Sequence, residues 1–205
     1  MSLVCASPNI AFIKYWGKIP ALGDQDRNLA TNPSLSMTLS HAKTTTRFEF
    51  LPQGQNTEIL IGGETPKTQD ITKVSEHVSR VLTELGMASA PSFRMHSSNN
   101  FPQGTGIASS ASAFAALTFA VAREALGEKS FEELRKTNLS LLSSLARRGS
   151  GSACRSVDGP YMKWDGTSAH RVESNLSLFD TILIFSKEHK KVPSSEGHKS
   201  AQSSP

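Results

Sequence analysis

Ser7-Pro-Asn-Ile-Ala-Phe-Ile-Lys-Tyr-Trp-Gly-Lys18 is a short apolar segment that ends in two lysines and a tyrosine. Its β-branched and aromatic residues read as a strand that buries Ile10, Phe12 or Ile13 and delivers Lys14, Tyr15 and Lys18 to its rim. Lysine supplies a compact positive charge, tyrosine a hydroxyl donor and Gly17 a tight turn, so this strand end suits an anion. A bare Lys-x-x-x-Lys is more often a pair of solvated lysines; the information lies in the whole run. Trp16 reads as packing.

Two further stretches carry the same chemistry. Asn99-Asn-Phe-Pro-Gln-Gly-Thr-Gly-Ile-Ala-Ser-Ser-Ala-Ser112 leads into an alanine-rich helix. Gly104 and Gly106 let backbone approach a ligand, and the helix start near Ala108 offers unpaired N–H groups and the positive end of a dipole. Ser109, Ser110 and Ser112 add hydroxyls suited to phosphate oxygens or a magnesium ion. No lysine follows, so this is not the Gly-x-x-x-x-Gly-Lys-Ser/Thr loop, and a plain helix cap accounts equally well for the glycines alone. In Ala146-Arg-Arg-Gly-Ser-Gly-Ser-Ala-Cys-Arg-Ser156, small residues let N–H groups and the hydroxyls of Ser150 and Ser152 converge, and Arg155 adds a planar fork for a carboxylate or phosphate. Arg147 and Arg148 read instead as the basic last turn of a helix.

Between these stretches the pattern is that of an α+β chain. Leu35, Met37 and Leu39 alternate with Ser34, Ser36, Thr38 and Ser40, which predicts a half-buried strand. Residues 46–50 and 58–61 read as a hairpin, and 71–85 as a helix stopped by Gly86. A strand over 92–96 enters the Gly/Ser stretch, and a helix over 108–126 follows, ended by Gly127. Ser130 with Glu133 predicts a capping box for one helix running to Arg148. A second hairpin spans 159–164 and 169–172 around Asp165-Gly166, and a buried strand covers 181–185. The charged run 187–191 reads as a solvated link.

Composition narrows the function. The chain has 205 residues, is 37% hydrophobic and carries a net charge of +4. The basic residues are dispersed rather than striped, which argues against nucleic acid and for small anionic ligands. No run of 18 apolar residues suggests a membrane span, and no signal-peptide pattern opens the chain. A cytoplasmic protein with reduced thiols at Cys5 and Cys154 is expected. Cys154 lacks a histidine at the usual spacings for a nucleophile, and the six histidines show no metal-ligand spacing, so no protein-held metal site is expected.

The words, order and separations of these stretches resemble the diphosphomevalonate decarboxylase family of the GHMP kinase superfamily. Ile13-Lys-Tyr-Trp-Gly-Lys18, Asn99-Asn-Phe-Pro102, Ala108-Ser-Ser-Ala-Ser112 and Gly149-Ser-Gly-Ser-Ala-Cys-Arg155 carry the likeness, as does Asn28-Leu-Ala-Thr-Asn-Pro-Ser-Leu-Ser-Met-Thr-Leu39. It extends from about Cys5 to Pro205. The resemblance implies a two-layer GHMP-kinase-type N-terminal domain with a ribosomal-protein-like βαβ fold over 1–186. It implies the start of a ferredoxin-like α+β domain in 187–205, so that a second domain, which supplies the family's catalytic aspartate, is expected to be cut short.

The implied reaction uses ATP and Mg²⁺ to phosphorylate the tertiary hydroxyl of mevalonate 5-diphosphate. Loss of that phosphate and of carbon dioxide then yields isopentenyl diphosphate. By the same resemblance, Pro102, Gly104, Thr105, Gly106, Ile107, Ala108, Ser109 and Ser110 cradle the ATP phosphates. Tyr15, Lys18, Ser150 and Ser152 bind the substrate diphosphate, with Trp16, Gly17, Gly151, Ala153, Cys154 and Ser195 in the same substrate-binding runs. Arg155 holds the carboxylate, while Lys14 and Ser110 attend the transferred phosphoryl. Asn28 orients the reacting hydroxyl or is a polar turn before a strand. Glu196 departs from the Thr or Arg that relatives often place near the diphosphate. A homodimer is the family expectation. The rivals are a related GHMP small-molecule kinase, a monophosphate decarboxylase and a non-catalytic nucleotide-binding module.

Overall fold

The computed structural model describes residues 1–87, 90–102 and 109–181. They form two four-stranded sheets and four α-helices. The first sheet has the order β1-β4-β6-β5, from β1 (Ser2–Ala6), β4 (Thr44–Phe50), β5 (Glu58–Ile61) and β6 (Phe93–Asn99). The second has the order β2-β3-β7-β8, from β2 (Asn9–Ile13), β3 (Ser34–Thr38), β7 (Tyr161–Asp165) and β8 (Ser168–Arg171), and is antiparallel throughout. This is the α+β architecture that the element pattern implied.

Residues 46–50 and 58–61 are strands but not a hairpin. β4 pairs antiparallel with β6, and β5 pairs parallel with the far side of β6. The connection from β5 to β6 is α1 (Thr68–Glu84), which closes a βαβ unit. β6 supplies the central position because its Phe93 and Met95 are 3% exposed and stack against fully buried Phe48 of β4, with ring centroids of Phe48 and Phe93 5.1 Å apart. A hairpin would have put β5 between β4 and β6 and separated Phe48 from Phe93.

α2 (Ser109–Leu126) is the central helix. It touches β1, β4, α1, α3, α4 and the 3₁₀ turn Gly151–Ser156. Ala111, Ala115, Ala116, Ala120 and Ala122 have no exposed surface, so the helix is buried nearly all round, and its small side chains let several elements approach it closely. Val74, Val78, Val81 and Leu82 of α1 complete the main core. Among the described residues no helix is long and apolar enough to cross a membrane.

The single helix predicted from Ser130 to Arg148 is two helices. α3 (Glu128–Thr137) starts from Gly127, so Ser130 lies inside its first turn rather than capping it. Asn138 then breaks the run with φ −144° and ψ 55°, and its Oδ1 accepts the Leu141 N–H at 3.2 Å to open α4 (Leu139–Gly149). The strand predicted at 181–185 falls, from residue 182 onward, outside the described residues, as does the charged link at 187–191.

The second sheet inverts two burial expectations. Ser34 and Ser36 are each 1% exposed, whereas Leu35 and Leu39 are half-buried. In β2 the residue that goes inward is Asn9, while Phe12 and Ile13 are about half exposed, at 48% and 56%. Register places Asn9, Ala11, Ser34 and Ser36 on the same face as Met162 and Trp164. That face is polar because a charged side chain, Arg155, lies against it.

Candidate active site

Arg155 is the centre of the site. It lies in the 3₁₀ turn Gly151–Ser156 that follows α4 and is 2% exposed. Its Nε donates to Ser36 Oγ at 3.1 Å and to Asn9 Oδ1 at 3.3 Å, and Nη1 donates to Ser34 Oγ at 2.6 Å. Asn9 is fixed in turn, since its Nδ2 donates to Ser156 Oγ at 2.8 Å and to the Ser152 carbonyl at 3.1 Å. The guanidinium carbon lies 5.8 Å from the Tyr15 ring centroid and 5.7 Å from that of Trp164, and those two rings meet edge to face at 4.7 Å. Burial pulls Arg155 below the ordinary arginine range, and among the described residues no carboxylate counters this; the opposing influences are Cys154 and Tyr15. A cation buried among neutral acceptors is costly unless an anion completes the site.

Tyr15 reaches across to the 3₁₀ turn. A Cβ placed on Gly151 would lie 2.8 Å from the Tyr15 hydroxyl and 3.4 Å from Cη2 of Trp164. Gly151 therefore provides room for the phenol. Burial raises the Tyr15 pKa, with the Arg155 charge opposing it, so the hydroxyl stays protonated and able to donate.

Lys18 follows a turn at Gly17, which has φ 69°. Lys18 Nζ donates to Asn28 Oδ1 at 2.7 Å, and Asn28 Nδ2 donates to the Arg147 and Arg148 carbonyls at 2.9 and 3.3 Å. Arg147 and Arg148 do occupy the last turn of α4, but both are buried and clamp the 24–28 loop. Arg147 donates to the carbonyls of Gln25, Arg27 and Thr167, and Arg148 pairs with Glu84 at 2.9 Å and with Asp24 at 3.5 Å.

The second motif meets the third where Ser110 Oγ lies 3.2 Å from Ser150 Oγ, joining the start of α2 to the end of α4. Ser110 is exposed, whereas Ser112 is buried and spent on Thr44 Oγ1 at 2.6 Å and on the Ser109 carbonyl at 3.2 Å. Ser112 thus belongs to the scaffold. Asn99 accepts from Thr44 Oγ1 at 2.6 Å, and Asn100 accepts the Lys43 N–H and donates to the His41 carbonyl, so the chain is anchored just before Pro102.

Other predicted positions divide clearly. Lys14 is exposed at the rim, and Ser152 is half-buried beside Arg155 in the same turn. Ala153 and Cys154 turn their side chains into the core, so only their backbone belongs to the turn. The Cys154 thiol donates to the Gly151 carbonyl at 3.0 Å and is pushed up to about 12 by burial, which removes it as a nucleophile. Trp16 is 61% exposed rather than packed, and it is the backbone that is held: its N–H donates to Asn32 Oδ1 at 2.8 Å. Gly104, Thr105, Gly106, Ile107, Ala108 and Ser195 lie outside the described residues.

Sequence reading missed Asn9, Ser34, Ser36 and Trp164. A buried asparagine in an apolar strand and serines alternating with leucines were the available signals. A separate groove of about 750 Å³ runs along α1 beside Asp24, Gln25 and Arg148, and contains none of the predicted phosphate or substrate residues. In it Arg80 pairs with Asp24 at 2.6 Å and Arg148 with Glu84 at 2.9 Å.

Known proteins carry the same arrangement of sequence. A family model described as diphosphomevalonate decarboxylase-like N-terminal domain matches residues 6–175. The chain belongs to that family. It is 35% identical over 219 residues to the diphosphomevalonate decarboxylase of Candida albicans, covering 96% of this chain and 57% of that protein. The mevalonate diphosphate decarboxylase from Legionella pneumophila superimposes with a TM-score of 0.76 at 32% identity, covering 99% of this chain and 64% of the other. The structure of MDDEF in complex with MVAPP, AMPPCP and magnesium superimposes with a TM-score of 0.68 at 32% identity, covering 85% and 52%. The chain spans about half the length of the curated decarboxylases it matches.

Proposed function

We propose that the protein carries out ATP-dependent decarboxylation of mevalonate 5-diphosphate to isopentenyl diphosphate, as a cytoplasmic carboxy-lyase of isoprenoid lipid metabolism. Residues 1–186 serve as its N-terminal domain and 187–205 open the second. The observation that carries the reading is Arg155, a buried guanidinium on a polar sheet face with no carboxylate partner among the described residues. A substrate carboxylate completes it with a charge-assisted pair.

The other roles follow from position. Tyr15, beside Arg155, and Lys18, held by Asn28 near the end of α4, take the diphosphate with Ser150 and Ser152. Neutral donors and a lysine suit a group whose charge does not change during the reaction. Lys14, on the exposed rim, and Ser110, at the start of α2, attend the phosphoryl group moving from ATP to the tertiary hydroxyl. The stretch 102–110 cradles the nucleotide, and the second domain brings the aspartate that acts on that hydroxyl.

Among the described residues no group of three or more His, Cys, Asp or Glu side chains is placed to hold a metal. The Ser109 and Ser110 hydroxyls at the start of α2 instead suit Mg²⁺, which keeps waters and takes most other ligands from phosphates. When bound there, Mg²⁺ supplies charge neutralisation for phosphoryl transfer.

Arg155→Ala in the full-length protein is expected to lower kcat/KM on ATP and mevalonate 5-diphosphate by about 10- to 100-fold, the value of a lost charge-assisted contact. A change below about threefold in steady-state kinetics contradicts the assignment.

A further inference from the structure

We propose that Asn28 is a positioning residue that fixes the Lys18 ammonium from the far side of the substrate. Three observations carry this. Asn28 has φ 58°, the only left-handed non-glycine backbone among the described residues, a conformation Asn tolerates better than most side chains. Its Nδ2 is committed to the last carbonyls of α4, those of Arg147 and Arg148. With the donor side fixed, Oδ1 points to Lys18 Nζ, 2.7 Å away. The loop that carries Asn28 is itself held, because Arg147 donates to the Gln25 and Arg27 carbonyls on its N-terminal side. The amide therefore has its donors engaged by α4 and its oxygen engaged by Lys18, an arrangement that suits holding the ammonium in place.

This matters because a lysine ammonium sits on a flexible stem whose rotamers must be restricted before it can act as a defined point charge. Asn28 supplies that restriction with a neutral acceptor. A carboxylate in its place would neutralise the charge the diphosphate needs. The proposal rests on the reading of Lys18 as a diphosphate contact, and the experiment separates the two.

The test is steady-state kinetics of the full-length protein on mevalonate 5-diphosphate for wild type, K18M, N28G and K18M/N28G, with thermal unfolding of each. Glycine keeps the left-handed backbone and deletes the amide. N28G is expected to raise KM about tenfold with kcat within about twofold, since a uniform binding contact is loosened. In the K18M background N28G is expected to change KM by less than about twofold, because its effect passes through the missing ammonium. A full N28G effect on KM in the K18M background overturns the proposal, because Asn28 then acts through α4 alone. An unchanged KM in N28G overturns it as well. If K18M itself leaves KM unchanged, the diphosphate reading of Lys18 falls, and the positioning role with it.

Discussion

Replacing Gly151 with alanine perturbs the site through one contact. Gly151 is absent from the left-handed residues, so alanine meets no backbone penalty there and the effect is one of space. The new Cβ would lie 2.8 Å from Tyr15 Oη, 3.3 Å from Cζ and 3.4 Å from Trp164 Cη2. Trp164 is 1% exposed and holds its Nε1 hydrogen bond to the Gly166 carbonyl at 2.9 Å, so it cannot yield. Tyr15 is only half-buried and gives way instead, its hydroxyl retreating by about 0.6 Å to reach ordinary contact distance. The stability cost falls at the low end of overpacking, about 1 kcal/mol, and lowers Tm by about 2–4 °C for a chain of this size. Under the proposed diphosphate role of Tyr15 the functional cost is larger, because a displaced phenol loses its donor geometry; a loss of about 10- to 100-fold in kcat/KM is expected. The assay is kinetics and thermal unfolding on Gly151→Ala, Tyr15→Phe and the double variant. Removing the hydroxyl removes the closest clash, so Gly151→Ala should cost little further stability or activity in the Tyr15→Phe background. Equal costs in both backgrounds, or wild-type kcat/KM for Gly151→Ala alone, refute the reasoning.

Asn138→Ala deletes the side-chain cap of α4 and should cost about 1 kcal/mol in chemical denaturation without changing KM; no loss of stability contradicts the two-helix description. His77 is fully buried, and burial followed by the charges of Arg80, Arg148 and Arg27 lowers its pKa to about 3 from 6.5. Thr118 Oγ1 donates to the Phe114 carbonyl at 2.7 Å, so His77 Nε2 carries the proton in their 2.8 Å contact and Nδ1 faces Arg80 as an acceptor. Because the unfolded chain binds this proton first, stability is full above about 6.5 and falls as pH drops toward about 3. His77→Gln should flatten the dependence of unfolding free energy on pH across that window, and an unchanged slope contradicts a neutral buried His77.

The stretches proposed to bind anions stood out in the sequence because lysine, tyrosine, glycine and serine announce their chemistry locally. Their convergence was not legible. The contacts that join them, Tyr15 against Gly151 and Ser110 against Ser150, are separated by more than a hundred and by forty positions respectively. The β4 and β5 strands were placed correctly, but their pairing depended on α1 returning β6 between them, a non-local event no turn signal encodes. Alternation in β3 gave the strand and the buried Met37, but not the deeper burial of Ser34 and Ser36. Hydropathy favours burying Leu35 and Leu39, but a guanidinium beneath the sheet demands Ser34 and Ser36. Asn138 was overlooked although Asn before Leu139-Ser140 is a capping residue, because the helical period on either side ran on without a gap. Asn28 could be read as a hydroxyl-orienting group or as a polar turn before a strand, and the sequence held no sign that its amide bridges the end of α4 to Lys18.

The measurement that bears most directly on the proposed activity is the ratio of carbon dioxide released to ADP formed when the full-length protein turns over ATP with mevalonate 5-diphosphate labelled in its carboxyl group. Coupled phosphorylation and decarboxylation predict one carbon dioxide for each ADP, with both signals falling together in Arg155→Ala. ADP formed without carbon dioxide would mean a small-molecule kinase, and would remove the reason for giving Arg155 a carboxylate.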